Sequence, residues 1–522
     1  MPRSALTDVL FVDLPFNSYE LGRRFKSVWS YKQFLSAHEL HLGFRYMTAY
    51  LRHRGYQAGI LYPSPSNGLT SKSALIRAIE QARPLLLGLT SYEGSLRESL
   101  QFVQRVKARG NSPVICMGGH LATFSYEEIL RDFPKLVDVI VLGDGEETIA
   151  ELAEAVREGR GFEKIPGIAY SLNGAVVKTP QRPIQQNIDS LPFPVLDTDD
   201  WQDRSVPLFL TSSRGCYGRC SFCRSSHFGE RWRAREPRNV ADEIERAVER
   251  GVTTFEMVDD NFLGPGRAGK ERALAVASEI LRRGLRIRFH ISCRVNDVDE
   301  STMCALKEAG LISVSLGVES GVQRILDTFN KNIKVEQSLA ALDILHTLDL
   351  PALVYIIFFD PYTTLEEAGE NIRFLEHIRS LGNVRFEEIL FRKLIPISGT
   401  DLFERIRADG LLRGDYLSGH RFAFRDRRVS WLADFLETID LRFERMMQRE
   451  DFRRIGGLYG VKEVLEFAVV EKSIGVLRSA PWKKSEALAL MEDILSAQLR
   501  RLLMPVGTNI SPDLTKGAMQ YV

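Results

Sequence analysis

The chain has 522 residues, 44% of them hydrophobic, with 69 Lys plus Arg against 68 Asp plus Glu. That length holds roughly two to four domains with well-filled cores. The balanced charge argues against a nucleic-acid surface, no apolar run is long enough to cross a bilayer, and the N-terminus lacks a signal-peptide pattern. A cytoplasmic protein with neither nucleic-acid nor membrane partners is expected. Residues 1 to about 160 alternate strand and helix signals, the pattern of a parallel sheet wrapped by helices. Val9-Leu10-Phe11-Val12 reads as the first strand, and a long loop then runs to about His41. A helix with apolar Phe44, Met47 and Leu51 ends at Gly55. Strand Gly59 to Leu61, a helix over 71–82, strand Leu85 to Leu89, a helix over 95–108 and strand Pro113 to Met117 follow. The fifth strand, Val137 to Leu142, leads to a helix over 147–157.

Ligands of such sheets settle outside the C-terminal strand ends, where glycine lets backbone approach closely. Three loops fall there: Thr90-Ser91, Gly118-Gly119 and Gly143-Asp144-Gly145-Glu146. His38 and His41 lie in the first loop, where solvated or locally bonded imidazoles are the expectation.

Residues 161–206 read as a connector, with Asn173-Gly174 turning a hairpin between runs 167–172 and 175–178. Alternation returns over 207–412. Strands are expected at 208–213, 254–258, 287–293, 312–318, 352–359 and 384–394, with helices near 239–250, 268–283, 300–309, 335–347, 365–381 and 400–409. The fold class is therefore α/β: an N-terminal Rossmann-like parallel sheet over 1–160, then a partial (β/α)6 barrel of TIM type, then a helical region over 413–522. Leu432 to Met447 and Val461 to Val476 carry apolar residues at helical spacing, which suits a packing face more than a substrate lid.

There are six cysteines, at 116, 216, 220, 223, 293 and 304, which form no disulfide framework. Cys116, Cys293 and Cys304 are isolated. Cys216, Cys220 and Cys223 sit at C-x3-C-x2-C spacing on the loop after the apolar run Leu208-Phe209-Leu210. Three thiolates on one tight loop can hold three irons of a [4Fe–4S] cube and leave the fourth open to a ligand. The remote alternative is a structural Cys3His zinc site completed by His227, which would make this a zinc-stabilised binding module.

The spacing, with Phe222 just before the last cysteine, resembles the signature of the radical S-adenosylmethionine (SAM) superfamily. Further fragments resemble that family in order: Met257 to Phe262 with its Asp-Asp-Asn, His290 to Arg294, Ser313 to Ser320, Phe358 to Pro361, and Pro396 to Thr400. The resemblance implies a [4Fe–4S] cluster on Cys216, Cys220 and Cys223. It implies SAM contacts at Phe222, Asp259, Asp260, Asn261, Arg294, Ser315 and Glu319, with reduction by an external donor such as flavodoxin or ferredoxin. Residues 8–155 resemble the cobalamin-binding domain that precedes the barrel in one large subfamily, on Leu42 to Tyr46, Gly118 to Phe124 and Val139 to Glu147. That resemblance implies cobalamin near Ser91, Gly118, Gly119, Gly143, Gly145 and Glu146. The chain departs from it in having no D-x-H-x-x-G run, and in having His120 where proline usually follows Gly-Gly. The implied chemistry is a 5′-deoxyadenosyl radical acting on a small molecule, in natural-product biosynthesis. Cobalamin-dependent C-methylation leads. The alternative is a radical rearrangement, ring contraction or dehydration, with the sheet retained as a scaffold.

Overall fold

The computed structural model describes residues 7–14, 41–63, 69, 71–92, 95–110, 112–196, 207–227, 231–386, 391–447, 458–479 and 483–503. His38 and part of the expected strand 384–394 lie outside them. Strands β1 (Val9–Val12), β2 (Ala58–Leu61), β3 (Leu86–Thr90), β4 (Val114–Gly118) and β5 (Val139–Val141) pair in parallel in the order β2-β1-β3-β4-β5. All four residues of β1 are buried, as befits a strand covered on both faces. The helix Leu42–His53 seals one face, with Phe44 stacked on Phe11 at 4.9 Å. Gly88 of β3 is required by this packing, since a Cβ there would lie 2.5 Å from the Phe11 ring. The order reverses between β1 and β3, so the crevice above their C-terminal ends is the natural ligand site of the sheet.

The hairpin read as part of a connector belongs to this sheet. Strands β6 (Ile168–Leu172) and β7 (Ala175–Lys178) add to β5 antiparallel, so the sheet has seven strands. Asn173 and Gly174 both take positive φ, 51° and 83°, as a tight two-residue hairpin turn demands. The helices His120–Phe124 and Tyr126–Asp132, too short to show a periodic pattern, fill the crossover from β4 to β5.

The second sheet begins with β8 (Leu208–Leu210). This strand stops short of the expected 213 because the Ser212 backbone bonds elsewhere, its amide to Asp259 and its carbonyl to the Arg235 amide. A two-stranded antiparallel ribbon follows instead, β9 (Ser213–Arg214) against β10 (Arg233–Ala234), and the cysteine loop lies between its strands. Then come β11 (Thr254–Met257), β12 (Arg288–Arg294), β13 (Leu311–Glu319), β14 (Ala352–Ile356) and β15 (Val384–Phe386). The sheet runs β8-β11-β12-β13-β14-β15, all parallel and in chain order, the topology of a partial barrel. Strand β14 also ends early, at Ile356, and Phe359 makes only a single bridge to Lys393.

Alternation separates the two faces. Phe255, Met257, Phe289, Ile291, Val314 and Leu316 enter one core with the surrounding helices. The helices Arg427–Met447 and Leu458–Ser479 extend that core through Val429, Leu432, Leu436, Val470 and Leu477. Among the described residues no helix is long and apolar enough to cross a membrane.

Candidate functional site

The cysteine loop contains little regular structure, and its neighbours hold it. The Ser221 amide donates to Phe329 O at 2.8 Å, its hydroxyl donates to Thr328 O at 2.8 Å, and its carbonyl accepts from the Leu402 amide at 2.8 Å. Asn330 Nδ2 donates to Arg219 O at 2.7 Å, and Phe222 meets the Phe329 ring edge-on at 5.0 Å. Inside the loop the Gly218 amide donates to Cys216 Sγ at 3.3 Å, and Arg294 Nη1 donates to Cys220 Sγ at 3.4 Å. A side chain at Gly218 would push aside the Arg294 guanidinium, which lies against it. Burial pushes the Cys216 thiol up to about 11 and raises Cys223, so metal binding here must displace protons.

His227 is committed elsewhere. Its Nδ1 lies 2.9 Å from Cys223 O, and its Nε2 accepts from the Asp401 amide at 3.1 Å. Nδ1 must then carry the proton, which leaves no lone pair for a zinc ion.

The Asp-Asp-Asn run divides its labour. Asp259 is buried and accepts from the Ser212 amide and hydroxyl and from the Ser213 hydroxyl, bracing the strand that feeds the cysteine loop. Burial raises its pKa against the pull of Arg272 and these serines. Asp260 accepts from Ser225 Oγ at 2.7 Å through one oxygen. Asn261 donates to Asp297 Oδ2 at 2.9 Å, while its own buried Oδ1 has no hydrogen-bond partner among the described residues.

Arg294 also donates to Lys331 O and lies over the Tyr217 ring. Lys331 makes a buried 2.8 Å ion pair with Glu319, whose backbone is held at φ 67° where β13 loses register with β14. Burial alone would lower Lys331, but the charges of Glu319 and Cys220 outweigh it and leave the ammonium raised. Arg294, Lys331, Glu319 and Cys220 thus form one connected group. Sequence reasoning missed Lys331, which sits between Asn330 and Asn332, both at positive φ. Two Asn flanking a Lys in a loop was the only available signal. Ser315 lies apart from this group and bonds to His290 Nε2 at 2.8 Å.

On the first sheet, Gly119 takes φ 91°, and a Cβ there would lie 2.7 Å from Thr90 Oγ1 and 3.4 Å from Ser91 O. Buried around this loop are Thr90 Oγ1, Ser91 Oγ and Thr123 Oγ1, with no hydrogen-bond partner among the described residues. Orphaned buried hydroxyls are costly unless a ligand satisfies them. At the same edge His41 is packed on Phe44 and Tyr92, its amide donating to Asp13 Oδ2 at 2.8 Å. Burial lowers its imidazole to about 4 and that of His120 to about 3. The loop that carries Gly143, Gly145 and Glu146 also reaches toward the cysteine loop. Arg214 Nη2 donates to Glu146 Oε1 at 2.6 Å, and Arg233 Nη1 donates to Asp144 Oδ2 at 2.9 Å. Both arginines stand opposite one another on the ribbon around the cysteine loop, so these bonds tie the first sheet to the second.

The pattern of the radical SAM superfamily matches residues 210–375, and that of the B12 binding domain matches residues 37–153. An uncharacterized methyltransferase from Pyrococcus horikoshii is 32% identical over 346 residues, covering 65% of this chain and 73% of the relative. The anaerobic magnesium-protoporphyrin IX monomethyl ester cyclase of Rubrivivax gelatinosus is 30% identical over 320 residues, 58% of this chain and 55% of the relative. Among solved structures, the cobalamin-dependent SAM radical enzyme OxsB, with aqua-cobalamin and SAM bound, has a TM-score of 0.79 at 18% identity. That match covers 99% of this chain and 83% of the other. The chain belongs to the radical SAM superfamily, in the branch that carries a B12-binding domain. It is an enzyme whose cofactors are a [4Fe–4S] cluster, SAM and cobalamin. It acts on a small molecule and draws electrons from an external reductant.

His227→Ala should retain about four irons per chain after anaerobic reconstitution, the content of one cube, as read by iron and sulfide assay. Loss of most of the metal would return the zinc site to contention. Lys331→Met should destabilise the fold by about 3–5 kcal/mol in urea unfolding, because it strands a buried carboxylate. Adding Glu319→Gln should recover most of that loss.

Proposed function

We propose that this enzyme transfers a methyl group to a carbon of a small molecule, in natural-product biosynthesis. The observation that carries this reading is the ligand cradle at Gly119 on a sheet bolted directly to the cysteine ribbon through Arg214 and Arg233. When bound, the reduced cluster would supply the electron that splits SAM into methionine and a 5′-deoxyadenosyl radical, and cobalamin would supply a carrier for the methyl group.

The chain's own residues hold and orient these groups. Cys216, Cys220 and Cys223 ligate iron. The free oxygen of Asp260 and the orphaned Oδ1 of Asn261 accept from the amino group of SAM, while Asp259 acts through Ser212 and Ser213. Arg294 holds positive charge against Cys220 and beside the SAM carboxylate, with Lys331 and Glu319 fixing its position. Phe222, packed on Phe329, keeps water from the cluster side. Thr90, Ser91 and Thr123 direct their hydroxyls to the polar rim of cobalamin, and Gly119 leaves room for it. Flavodoxin or ferredoxin is the donor this reading favours.

A second reading, radical ring formation or rearrangement, is favoured by the likeness to the Rubrivivax cyclase. The two differ in SAM use, since methyl transfer consumes a second SAM beside the one that is cleaved. Turnover yielding S-adenosylhomocysteine together with 5′-deoxyadenosine supports methylation, and 5′-deoxyadenosine alone supports the second reading. Replacing any of Cys216, Cys220 or Cys223 with alanine should abolish both products, whereas Cys116→Ala, Cys293→Ala and Cys304→Ala should keep them. Gly119→Val should lower cobalamin content at least several-fold in the absorption spectrum while sparing iron, because the added branches meet Thr90 and Ser91.

A further inference from the structure

The face of the second sheet turned away from its helices carries a polar group that is separate from the cluster contacts and meets the expected SAM contacts through Ser315. Glu256 of β11, His290 of β12 and Ser313 of β13 follow one another across the strands in register. Their sequence neighbours Phe255, Met257, Phe289, Ile291 and Val314 all point into the opposite, helix-covered core. The imidazole is fully engaged, with Nδ1 2.6 Å from Ser313 Oγ and Nε2 2.8 Å from Ser315 Oγ. Glu256 is not. Its side chain is 30% exposed, and among the described residues its one basic partner within 4 Å is His290, whose Nε2 lies 3.7 Å from Oε1. No Lys or Arg of the described residues reaches it.

Burial lowers His290 to about 4, so this imidazole stays neutral and cannot serve as counter-ion. Burial alone pushes the Glu256 carboxyl up to about 7. A half-buried carboxyl with no cation and no hydrogen bond is costly to hold, and a ligand that brings both relieves it. Val258, one residue past the end of β11, is 39% exposed, so the face stays open and turns apolar beyond the strand.

We propose that Glu256 is the specificity-determining contact for a substrate bearing a basic nitrogen, seated on this open face with its ammonium on the carboxylate and an apolar part toward Val258. This rests on the reading that a small molecule reacts above this sheet, and it narrows that molecule to an amine. His290 is a positioning residue here: clamped by two serines, it fills the space beside Glu256 and leaves the carboxylate facing the ligand.

Benzylamine and benzyl alcohol, alike in shape but differing in charge at neutral pH, test this without turnover. Binding to the cluster- and cobalamin-loaded enzyme is read by isothermal calorimetry or ligand-observed NMR. The wild type should bind benzylamine at least tenfold more tightly than benzyl alcohol, and Glu256→Gln, checked for folding by its iron content, should lose that preference. Equal binding of the two probes by the wild type overturns the proposal, even if the variant does not fold. A tenfold preference that survives in Glu256→Gln also overturns it, because the amine is then recognised elsewhere. Neither result touches the methylation reading, which stands or falls on S-adenosylhomocysteine formation.

Discussion

Everything in the second half of this molecule depends on holding three thiols in place on a loop with almost no ladder of its own. The loop's backbone is satisfied from outside, by the 328–330 segment, by the start of the helix Asp401–Ala408, and by His227 bridging Cys223 to that same helix. The 328–330 segment and the helix Asp401–Ala408 come from different barrel units, both distant in sequence from the loop. The loop therefore reaches its shape only when the barrel has closed around it. Arg294 adds an electrostatic reason for the arrangement, because its cation lies where negative charge will gather once the thiols bind iron.

The same constraint extends to the first sheet. The ribbon that opens and closes the cysteine loop presents Arg214 and Arg233, and the loop after β5 answers with Glu146 and Asp144. Arg214 further lies over the ring of Tyr46, on the helix that follows β1. These pairs are well shielded, with Arg233 only 3% and Glu146 only 8% exposed in the side chain. Breaking one partner would leave a buried charge, so the two sheets are held in one relation. A reaction that shuttles a group between sites on two domains needs such a fixed distance.

Polar groups in the site fall into two kinds. Asp259 and His227 are held by several protein partners, Glu319 is paired with Lys331, and all three act as braces. Asn261 Oδ1, Ser91 Oγ, Thr90 Oγ1 and the Glu256 carboxyl are buried or half-buried and lack such partners among the described residues. In a close-packed interior the second kind still has bonds to make, to water or to a ligand.

Much of this was legible in the chain itself. The C-x3-C-x2-C spacing and the apolar runs Val9 to Val12 and Leu86 to Leu89 announce a metal loop and parallel strands, because local spacing and burial on both faces leave a direct trace in residue type. The Asn173-Gly174 turn was equally plain, but its home was not. That the hairpin extends the first sheet depends on an edge left open by β5, which is a property of the assembled sheet. The pairing of Glu146 was hidden for a similar reason: a glycine-rich loop after a strand gives no sign in the chain of Arg214, which arrives from 68 residues away. The short ribbon β9–β10, the pairing of Lys331 with Glu319, and the lone carboxyl of Glu256 leave no periodic signal. Sequence determined the long strands and helices and where three thiols cluster, since those are set by neighbours in the chain. Only tertiary structure decided which charges are spent on each other and which remain for a ligand, because pairing is fixed by distance in space.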